Sequence, residues 1–267
     1  MPRDLEGKRA LVTGSSSGIG EAIALRLARE GAAVAVHGRN RERAEAVAEA
    51  ARGHGVEVIV AIGDLATDAG AAAAADVVES AWGGVDILIN NAGGESAGTG
   101  NAPWMEATPD DWIATYQNNV ISMVRMIHRF APAMRERGWG RLIQISSVVG
   151  HDALTVIPDY CAAKAAIINL SKGLAKTFSR TGVTANSISP GLVATPSVEA
   201  WLRGLSTANG WGDDFGVIER KAVEGFMPNH VGRIGRPDDI AHAAAYLASP
   251  AAGFVTGTDL LVSGWQQ

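Results

Sequence analysis

The feature that most constrains this chain is a regular alternation of short apolar runs with longer helical patterns. The apolar runs are of strand length and occur at 10–13, 33–37, 56–61, 86–90, 141–146, 183–189 and 259–262. Helical spacing of apolar residues follows most of them, at 19–29, 41–52, 71–82, 118–137 and 159–180. Thr108-Pro109-Asp110-Asp111 and Pro237-Asp238-Asp239 are typical helix starts. Strands that alternate with helices form a parallel sheet with helices on both faces. We therefore predict an α/β protein with a doubly wound parallel sheet of about seven strands.

One stretch, 192–232, departs from this alternation. It is long and rich in glycine, and its large side chains are Trp201, Trp211, Phe215, Phe226 and Met227. A segment of this length between a strand and a helix is usually functional and is often a lid. No change of composition marks a second domain, so we predict a single domain over 1–267 with a substrate-binding loop or lid at about 192–232.

The turn after the first predicted strand reads Thr-Gly-Ser-Ser-Ser-Gly-Ile-Gly over 13–20. Glycines allow the backbone to approach a pyrophosphate, and the N-terminus of the next helix supplies N–H donors. The spacing Gly-x-x-x-Gly-x-Gly differs from the usual Gly-x-Gly-x-x-Gly, and a tight turn without a ligand is the alternative. We predict a Rossmann-type dinucleotide site with contacts from Gly14, Ser16, Ser17, Gly18, Ile19 and Gly20.

The end of the second predicted strand reads His37-Gly38-Arg39-Asn40. An acidic residue here would bind the ribose 2′-hydroxyl of NAD, whereas an arginine accommodates the 2′-phosphate of NADP. Arg39 therefore favours NADP(H), with NAD as the alternative if Arg39 is a solvated surface residue. Asp64, with Leu65 beside it, follows the third strand and is either an adenine contact or a turn residue.

Tyr160 and Lys164 are four residues apart in a predicted helix, so the phenol and the ammonium share one face. A free phenol has a pKa near ~10. A fixed positive charge stabilises the phenolate and lowers that pKa. The pair therefore predicts a proton donor and acceptor suited to alcohol and carbonyl chemistry.

Composition excludes several other classes of protein. The formal net charge is −5, so there is no overall basic surface for nucleic acid or an anionic membrane. Cys161 is the one cysteine, which excludes an intramolecular disulfide and suits a reducing compartment. No apolar run reaches the ~18 residues of a membrane span, and no signal peptide is recognisable. No group of histidines, cysteines and carboxylates has metal-ligand spacing. We expect a cytoplasmic protein without a bound metal.

These motifs occur in one order that closely resembles the short-chain dehydrogenase/reductase family, in particular its 3-oxoacyl carrier-protein reductase branch. The resemblance covers essentially the whole chain and rests on the glycine-rich turn, Asn90-Asn91-Ala92-Gly93, Asn119, Ser147, the Tyr160/Lys164 pair, Pro190-Gly191, 232–237 and 255–259. Two positions depart from the family pattern. Ser17 stands where some NADP-preferring members have a basic residue, and Ser263-Gly264-Trp265 replaces a common Asp-Gly-Gly ending.

The resemblance implies a role for each of four residues. Tyr160 would be the general acid in reduction and the base in oxidation, and Lys164 would lower its pKa and bind the nicotinamide ribose. Ser147, thirteen residues before Tyr160, would bind the substrate oxygen, rather than Ser146. Asn119, rather than Asn118, would hold a helix kink and a water of the proton relay. The resemblance further implies a homotetramer and cofactor contacts from Asn91, Ala92, Gly93, Tyr160, Lys164, Pro190, Gly191, Val193 and Thr195.

The substrate is less constrained by the sequence. His151 follows Ser147 by four residues, and it either binds a polar substrate group or lies in a solvated loop. Glu95 and Ser96 are similar candidates. Trp201 and Trp211 either form an apolar lid over the substrate or pack against core or a second subunit. We predict an oxidoreductase that transfers a hydride between NADP(H) and a carbonyl or secondary alcohol. The alternatives are a 3-oxoacyl-carrier-protein reductase, an NAD-dependent secondary-alcohol or sugar dehydrogenase, and a non-catalytic dinucleotide-binding protein.

Overall fold

A seven-stranded parallel sheet forms the centre of the molecule. The computed structural model describes residues 4–94 and 103–265. The strand order is β3-β2-β1-β4-β5-β6-β7, and every neighbouring pair is parallel. The strands are β1 Arg9–Val12, β2 Ala33–Gly38, β3 Val58–Ile62, β4 Ile87–Asn90, β5 Gly140–Ile145, β6 Val183–Pro190 and β7 Asp259–Val262. The predicted doubly wound α/β sheet is thus confirmed, and the predicted strand ends are displaced by a few residues at most.

Helices cover both faces of this sheet. They are α1 Gly18–Arg29, α2 Arg41–Arg52, α3 Asp68–Trp82, α4 Pro109–Tyr116, α5 Ser122–Glu136, α6 Pro158–Thr177, α7 Pro196–Asn209, α8 Phe215–Lys221 and α9 Pro237–Ala248. One apolar core joins the sheet to α1, α2 and α9, and a second joins it to α3, α5 and α6. Because side chains alternate along a strand, Val12 faces the first core and its neighbour Leu11 faces the second. In the described part of the chain, no helix is both long enough and apolar enough to cross a membrane.

The segment between Tyr116 and Ser122 interrupts what would otherwise be one long helix. As predicted, the helix starts at Thr108, whose hydroxyl accepts from the amide of Asp111 while the Asp111 carboxylate accepts from the amide of Thr108. Residues Gln117–Ile121 form a π-helical turn between α4 and α5. The predicted helix of 118–137 is thus a π turn followed by α5. Such π turns often mark functional sites.

The segment predicted as a long loop at 192–232 is mostly helical. It contains α7, α8 and a second π turn at Ala222–Phe226. Thr195 and Asp214 cap the two helices through their side chains, accepting from the amides of Val198 and Val217. These capping residues were visible in the sequence, but the many glycines obscured the helical pattern. The segment has an apolar cluster of its own, built from Ala194, Leu202, Ile218, Ala222, Val223 and Ile234.

Candidate active site

The predicted site residues follow the carboxyl ends of six parallel strands. Strands β1 and β4 are adjacent in the sheet, although two strands separate them in the sequence, so the order reverses between them. In doubly wound sheets the ligand binds in the crevice at this reversal, beyond the carboxyl ends of the strands. The predicted cofactor contacts lie in the turns after β1 to β6 or in the elements that border these turns, with Gly18, Ile19 and Gly20 in α1, Tyr160 and Lys164 in α6 and Pro190 at the end of β6. The candidate site therefore lies along the carboxyl-end edge of the sheet.

The glycine-rich turn after β1 is joined to the end of β4 by hydrogen bonds. The hydroxyl of Thr13 accepts from the amides of Asn91 and Ala92, both at 2.9 Å. The side-chain amide of Asn91 donates to the carbonyls of Thr13 and Gly14 at 3.0 and 3.1 Å. Gly14 has a φ of 64°, and an added Cβ would lie 2.8 Å from Cα of Ala92. No residue with a side chain fits at Gly14 without displacing the backbone.

The first turn of α1 offers backbone donors at the predicted pyrophosphate position. Ser17, its N-cap, is exposed and makes no side-chain capping bond, so its hydroxyl does not occupy these amides. Gly18 has a φ of 61°, and Thr195, the N-cap of α7, lies against it: an added Cβ would be 3.3 Å from Cγ2 of Thr195. Two helix N-termini thus meet beside the glycine-rich turn, which suits the negative charge of a dinucleotide pyrophosphate.

The turns after β2 and β3 contain the residues predicted to contact the adenosine half of the cofactor. Arg39 is exposed and makes no ion pair within the described residues. Gly38 lies against Ser16, whose Oγ would be 2.8 Å from an added Cβ. After β3, Asp64 accepts from the amide of Ala66 and shapes the turn, while Leu65 is buried in the second core. The side chain of Leu65 is therefore part of the core, and only the backbone of Leu65 is left to contact a cofactor.

His37, at the end of β2, was quoted in the sequence without a role in the site. Its Nδ1 accepts from the amide of Gly14 at 3.0 Å, so its Nε2 carries the proton and donates to the carbonyl of Gly63 at 3.1 Å. Burial lowers the pKa of His37 to about 4. A neutral imidazole therefore links the glycine-rich turn to the end of β3. The sequence shows a histidine two residues before Arg39, but its contact with Gly14 is formed only in the folded protein.

Asn119 lies in the π turn and is fully buried. Its side-chain amide donates to the carbonyls of Gly94 and Thr115, both at 3.0 Å, and its Oδ1 accepts from the amide of Gly94 at 3.2 Å. Gly93 is packed against it, since an added Cβ would lie 2.6 Å from Oδ1. Asn119 thus fastens the π turn to the segment after β4. Glu95 and Ser96, which follow this segment, lie outside the described residues.

The two serines after β5 face different surroundings. Ser146 is buried and donates through Oγ to the carbonyl of Lys164 at 2.8 Å, so its hydroxyl is committed to α6. Ser147 is half-buried and begins a short 3₁₀ turn, Val148–Gly150, with its Oγ 3.4 Å from the amide of Val149. Ser147 is therefore the less buried of the two serines, and its contact with the substrate oxygen stays a prediction of the resemblance.

Tyr160 and Lys164 lie one turn apart in α6, and Nζ of Lys164 is 5.2 Å from the centre of the Tyr160 ring. Lys164 is buried, and Nζ donates to the carbonyl of Ile145 at 3.1 Å. Burial lowers the pKa of Lys164 to about 8, because the charged form loses its hydration. A buried ammonium beside a tyrosine ring, next to the end of β5, is an arrangement suited to exchanging a proton with an alcohol or ketone oxygen.

The segment after β6 closes the other side of the crevice. Pro190 ends β6, and the amide of Gly191 donates to the carbonyl of Val262 at 3.1 Å. Val193 is buried and forms a parallel bridge with Gly235, so its side chain packs inward and its backbone remains the part to meet a cofactor. Both ends of the crevice are thus built from backbone held in place by hydrogen bonds.

The three predicted substrate residues have different environments. Trp211 packs against the apolar cluster of α7 and α8, which is the structural role weighed for it above. Trp201, on α7, is 40% exposed. His151 lies at the end of the 3₁₀ turn, and its Nε2 is 2.6 Å from Oδ2 of Asp259, a partner that the sequence did not suggest.

Comparison with known proteins gives a consistent result. The model of the family described as "short chain dehydrogenase" matches residues 8–205. A 3-oxoacyl-[acyl-carrier-protein] reductase of Haemophilus influenzae is 33% identical over 97% of this chain and 98% of its own. L-sorbose reductase of Gluconobacter frateurii, solved with NADPH and L-sorbose, superposes with a TM-score of 0.91 and 33% identity over 99% and 98% of the two chains. A gluconate 5-dehydrogenase of Burkholderia cenocepacia, solved with NADP and tartrate, gives a TM-score of 0.82 and 35% identity over 98% and 96%.

Proposed function

This chain belongs to the short-chain dehydrogenase/reductase family and is an NADP(H)-dependent oxidoreductase of carbonyl and secondary-alcohol substrates, and we propose the following division of labour among its residues. Ser147 and Tyr160 bind the substrate oxygen, Lys164 supports Tyr160, and Asn119 holds the π turn behind them. The observation that carries this proposal is the buried ammonium of Lys164, 5.2 Å from the Tyr160 ring and bonded to the end of β5.

In the reduction direction, negative charge develops on the carbonyl oxygen of the substrate. The hydroxyl of Ser147 donates a hydrogen bond to that oxygen, and the phenol of Tyr160 donates its proton to it. One such donor is worth about 3 kcal/mol of transition-state stabilisation. NADPH, when bound, supplies the hydride. In the oxidation direction Tyr160 accepts the proton of the alcohol, and the positive charge of Lys164 stabilises the phenolate.

The residues of the crevice fit a phosphorylated dinucleotide. Gly14 and Gly18 have positive φ angles, and Gly14 leaves no space for a side chain. The first turn of α1, which the Ser17 side chain does not cap, supplies amides for the pyrophosphate. Arg39, which follows β2, and Ser16, in the glycine-rich turn against Gly38, are our proposed ligands of the 2′-phosphate, since no carboxylate stands at 37–40 to bind a ribose hydroxyl instead. The solved relatives that contain NADPH or NADP support this preference.

We also propose that the protein is a cytoplasmic homotetramer. The exposed apolar side chains at one edge of the molecule support an assembly, and they include Tyr246, Phe254 and Leu261, which are 48%, 103% and 55% exposed. The buried free thiol of Cys161 suits a reducing compartment. Sedimentation or mass photometry of the purified protein measures the assembly directly.

The function is tested with a panel of keto-esters, sugars, cyclic ketones and aliphatic ketones, by following nicotinamide absorbance with each cofactor. We expect turnover with NADPH and a loss of at least about a thousandfold in kcat for Tyr160→Phe. Tyr246→Phe, on α9, is the matched control, since it removes the same hydroxyl group but keeps the apolar ring at the proposed interface, and it should be fully active. NADPH binding by Tyr160→Phe, measured by fluorescence, should change by no more than a few-fold. Retained turnover in Tyr160→Phe would exclude the proposed acid.

A further inference from the structure

A polar network lies beside the 3₁₀ turn that Ser147 begins. The carboxylate of Asp259, at the start of β7, is only 7% exposed. Its Oδ1 accepts from the hydroxyls of Ser187 and Ser189 at 2.5 and 3.0 Å, and its Oδ2 is 2.6 Å from Nε2 of His151. Because a carboxylate only accepts, the Nε2 atom of His151 carries a proton. The network therefore fixes the tautomer of His151 and leaves Nδ1 as the second polar atom of the ring.

His151 is held in place from two directions. Gly150, directly before it, is packed against α6: an added Cβ would lie 2.8 Å from the carbonyl carbon of Lys164 and 3.0 Å from the amide of Ala165. Asp259 holds the imidazole itself. The packing of Gly150 and the short hydrogen bond to Asp259 thus fix the position of the His151 ring relative to Ser147 and α6.

The free edge of this imidazole is accessible. The side chain of His151 is 44% exposed, although its Nε2 side is joined to a nearly buried carboxylate. Within the described residues, Nδ1 has no hydrogen-bond partner in the protein. A neutral imidazole with Nε2 protonated accepts at Nδ1, and the natural donor for it is a hydroxyl group.

We propose that His151 is a specificity-determining residue whose Nδ1 accepts a hydrogen bond from a hydroxyl group of the substrate, and that Asp259 is the positioning residue that orients it. The proposal rests on the proposed function, because Ser147 and Tyr160 must hold the carbonyl oxygen for a substituent to reach His151. It assigns a substrate class, ketones that carry hydroxyl groups near the carbonyl, in preference to purely apolar ketones.

A different role for the same contacts is a structural tie between the turn after β5 and strand β7. The two roles differ in their effect on substrates. A structural tie acts on every ketone alike, because it changes the position of Ser147. A substrate contact acts only on ketones that bear the hydroxyl group, and mainly through KM, because the hydrogen bond forms in the bound ground state as well as in the transition state.

The test uses erythrulose and butanone, which share a four-carbon skeleton and differ in their hydroxyl groups. We expect wild-type enzyme to prefer erythrulose. His151→Phe should lower kcat/KM for erythrulose by about tenfold, mainly through KM. The same variant should change kcat/KM for butanone by less than about twofold. Asp259→Asn should give a smaller loss with the same selectivity, and His151→Gln, which restores both a donor and an acceptor, should recover part of the activity.

His54→Phe is the matched control, because His54 lies in the turn between α2 and β3, at the opposite edge of the sheet from β7. In a Tyr160→Phe background, which prevents turnover, quenching of NADPH fluorescence by erythrulose measures binding. This binding should weaken when His151→Phe is added and less when Asp259→Asn is added, and it should be unchanged by His54→Phe. Equal losses on both ketones, or no wild-type preference for erythrulose while other ketones of the panel are reduced, would overturn the proposal and leave the proposed function intact. Absence of turnover with every ketone would instead count against the proposed function.

Discussion

Lys164 donates from its buried Nζ to the carbonyl oxygen of Ile145, 3.1 Å away, and so joins the helix that carries Tyr160 to the end of strand β5. The ammonium is buried, and the loss of its hydration lowers the pKa of Lys164 to about 8. A group destabilised in this way within the folded protein is usually retained for its chemistry.

The buried Lys164 should make stability depend on alkaline pH. Its pKa is lower in the folded protein than in the unfolded chain, so the unfolded chain binds more protons between pH ~8 and ~10.4 and stability rises with pH over that window. The contribution is about 3 kcal/mol. We expect the difference in unfolding free energy between wild type and Lys164→Met, measured in urea, to shift in favour of wild type by this order as pH rises through the window. The exposed Lys172→Met serves as control, and parallel curves for wild type and Lys164→Met would contradict a buried ammonium.

Ser146 and Ser147 are adjacent, but we expect one to act mainly on stability and the other mainly on activity. We expect Ser147→Ala to reduce kcat/KM by about a hundredfold to a thousandfold with little change in stability, since it removes a donor to the substrate oxygen. Ser146→Ala removes a buried hydrogen bond to the Lys164 carbonyl and should cost about 1–2 kcal/mol of stability, with a much smaller effect on turnover. Steady-state kinetics and urea unfolding of both variants make the comparison. The reverse pattern would transfer the substrate contact to Ser146.

Acid should weaken the link between the glycine-rich turn and β3. The pKa of His37 is lowered to about 4 by burial, so its contribution to stability is complete above pH ~6.5 and is lost as pH falls through 4. The expected loss is about 3 kcal/mol. In His37→Gln the slope of unfolding free energy against pH should be flatter in this range, while His242→Gln, exposed on α9, should keep the wild-type slope. An unchanged slope in His37→Gln would show that His37 titrates in the folded protein as it does in the unfolded chain.

Arg39 should control the choice of cofactor. Arg39→Ala removes the cation at the end of β2 and should raise the Kd for NADPH by about tenfold to a hundredfold, the worth of a charge-assisted hydrogen bond, with less than about a twofold change for NADH. Isothermal titration with both cofactors measures the two constants. Arg52→Ala, at the far end of α2, is the control. Equal weakening for the two cofactors would assign Arg39 to the pyrophosphate or to the fold instead of the 2′-phosphate.

Local signals predicted the fold and supplied the candidate residues of the site. The alternation of apolar runs with helical spacing predicted the doubly wound sheet, because strand and helix periods are properties of short segments. The family resemblance, through the spacing to Tyr160, assigned the substrate contact to Ser147 rather than Ser146, and the hydrogen bond from Ser146 to the carbonyl of Lys164 supports that proposal. The two helices within 192–232 were missed because glycines weaken a helical pattern even where Thr195 and Asp214 provide caps.

The sequence by itself therefore determined the order of the strands and helices. It also determined the positions of the glycine-rich turn, of Arg39 after β2 and of Ser147, Tyr160 and Lys164, since each of these motifs lies within a short stretch of chain. The tertiary structure alone decided which distant groups meet. It brings His37 to the amide of Gly14, fastens Asn119 to Gly94, and joins His151 to Asp259 across 108 positions of sequence. Such contacts depend on how parallel strands are ordered across the sheet, and no local pattern of side chains encodes that order.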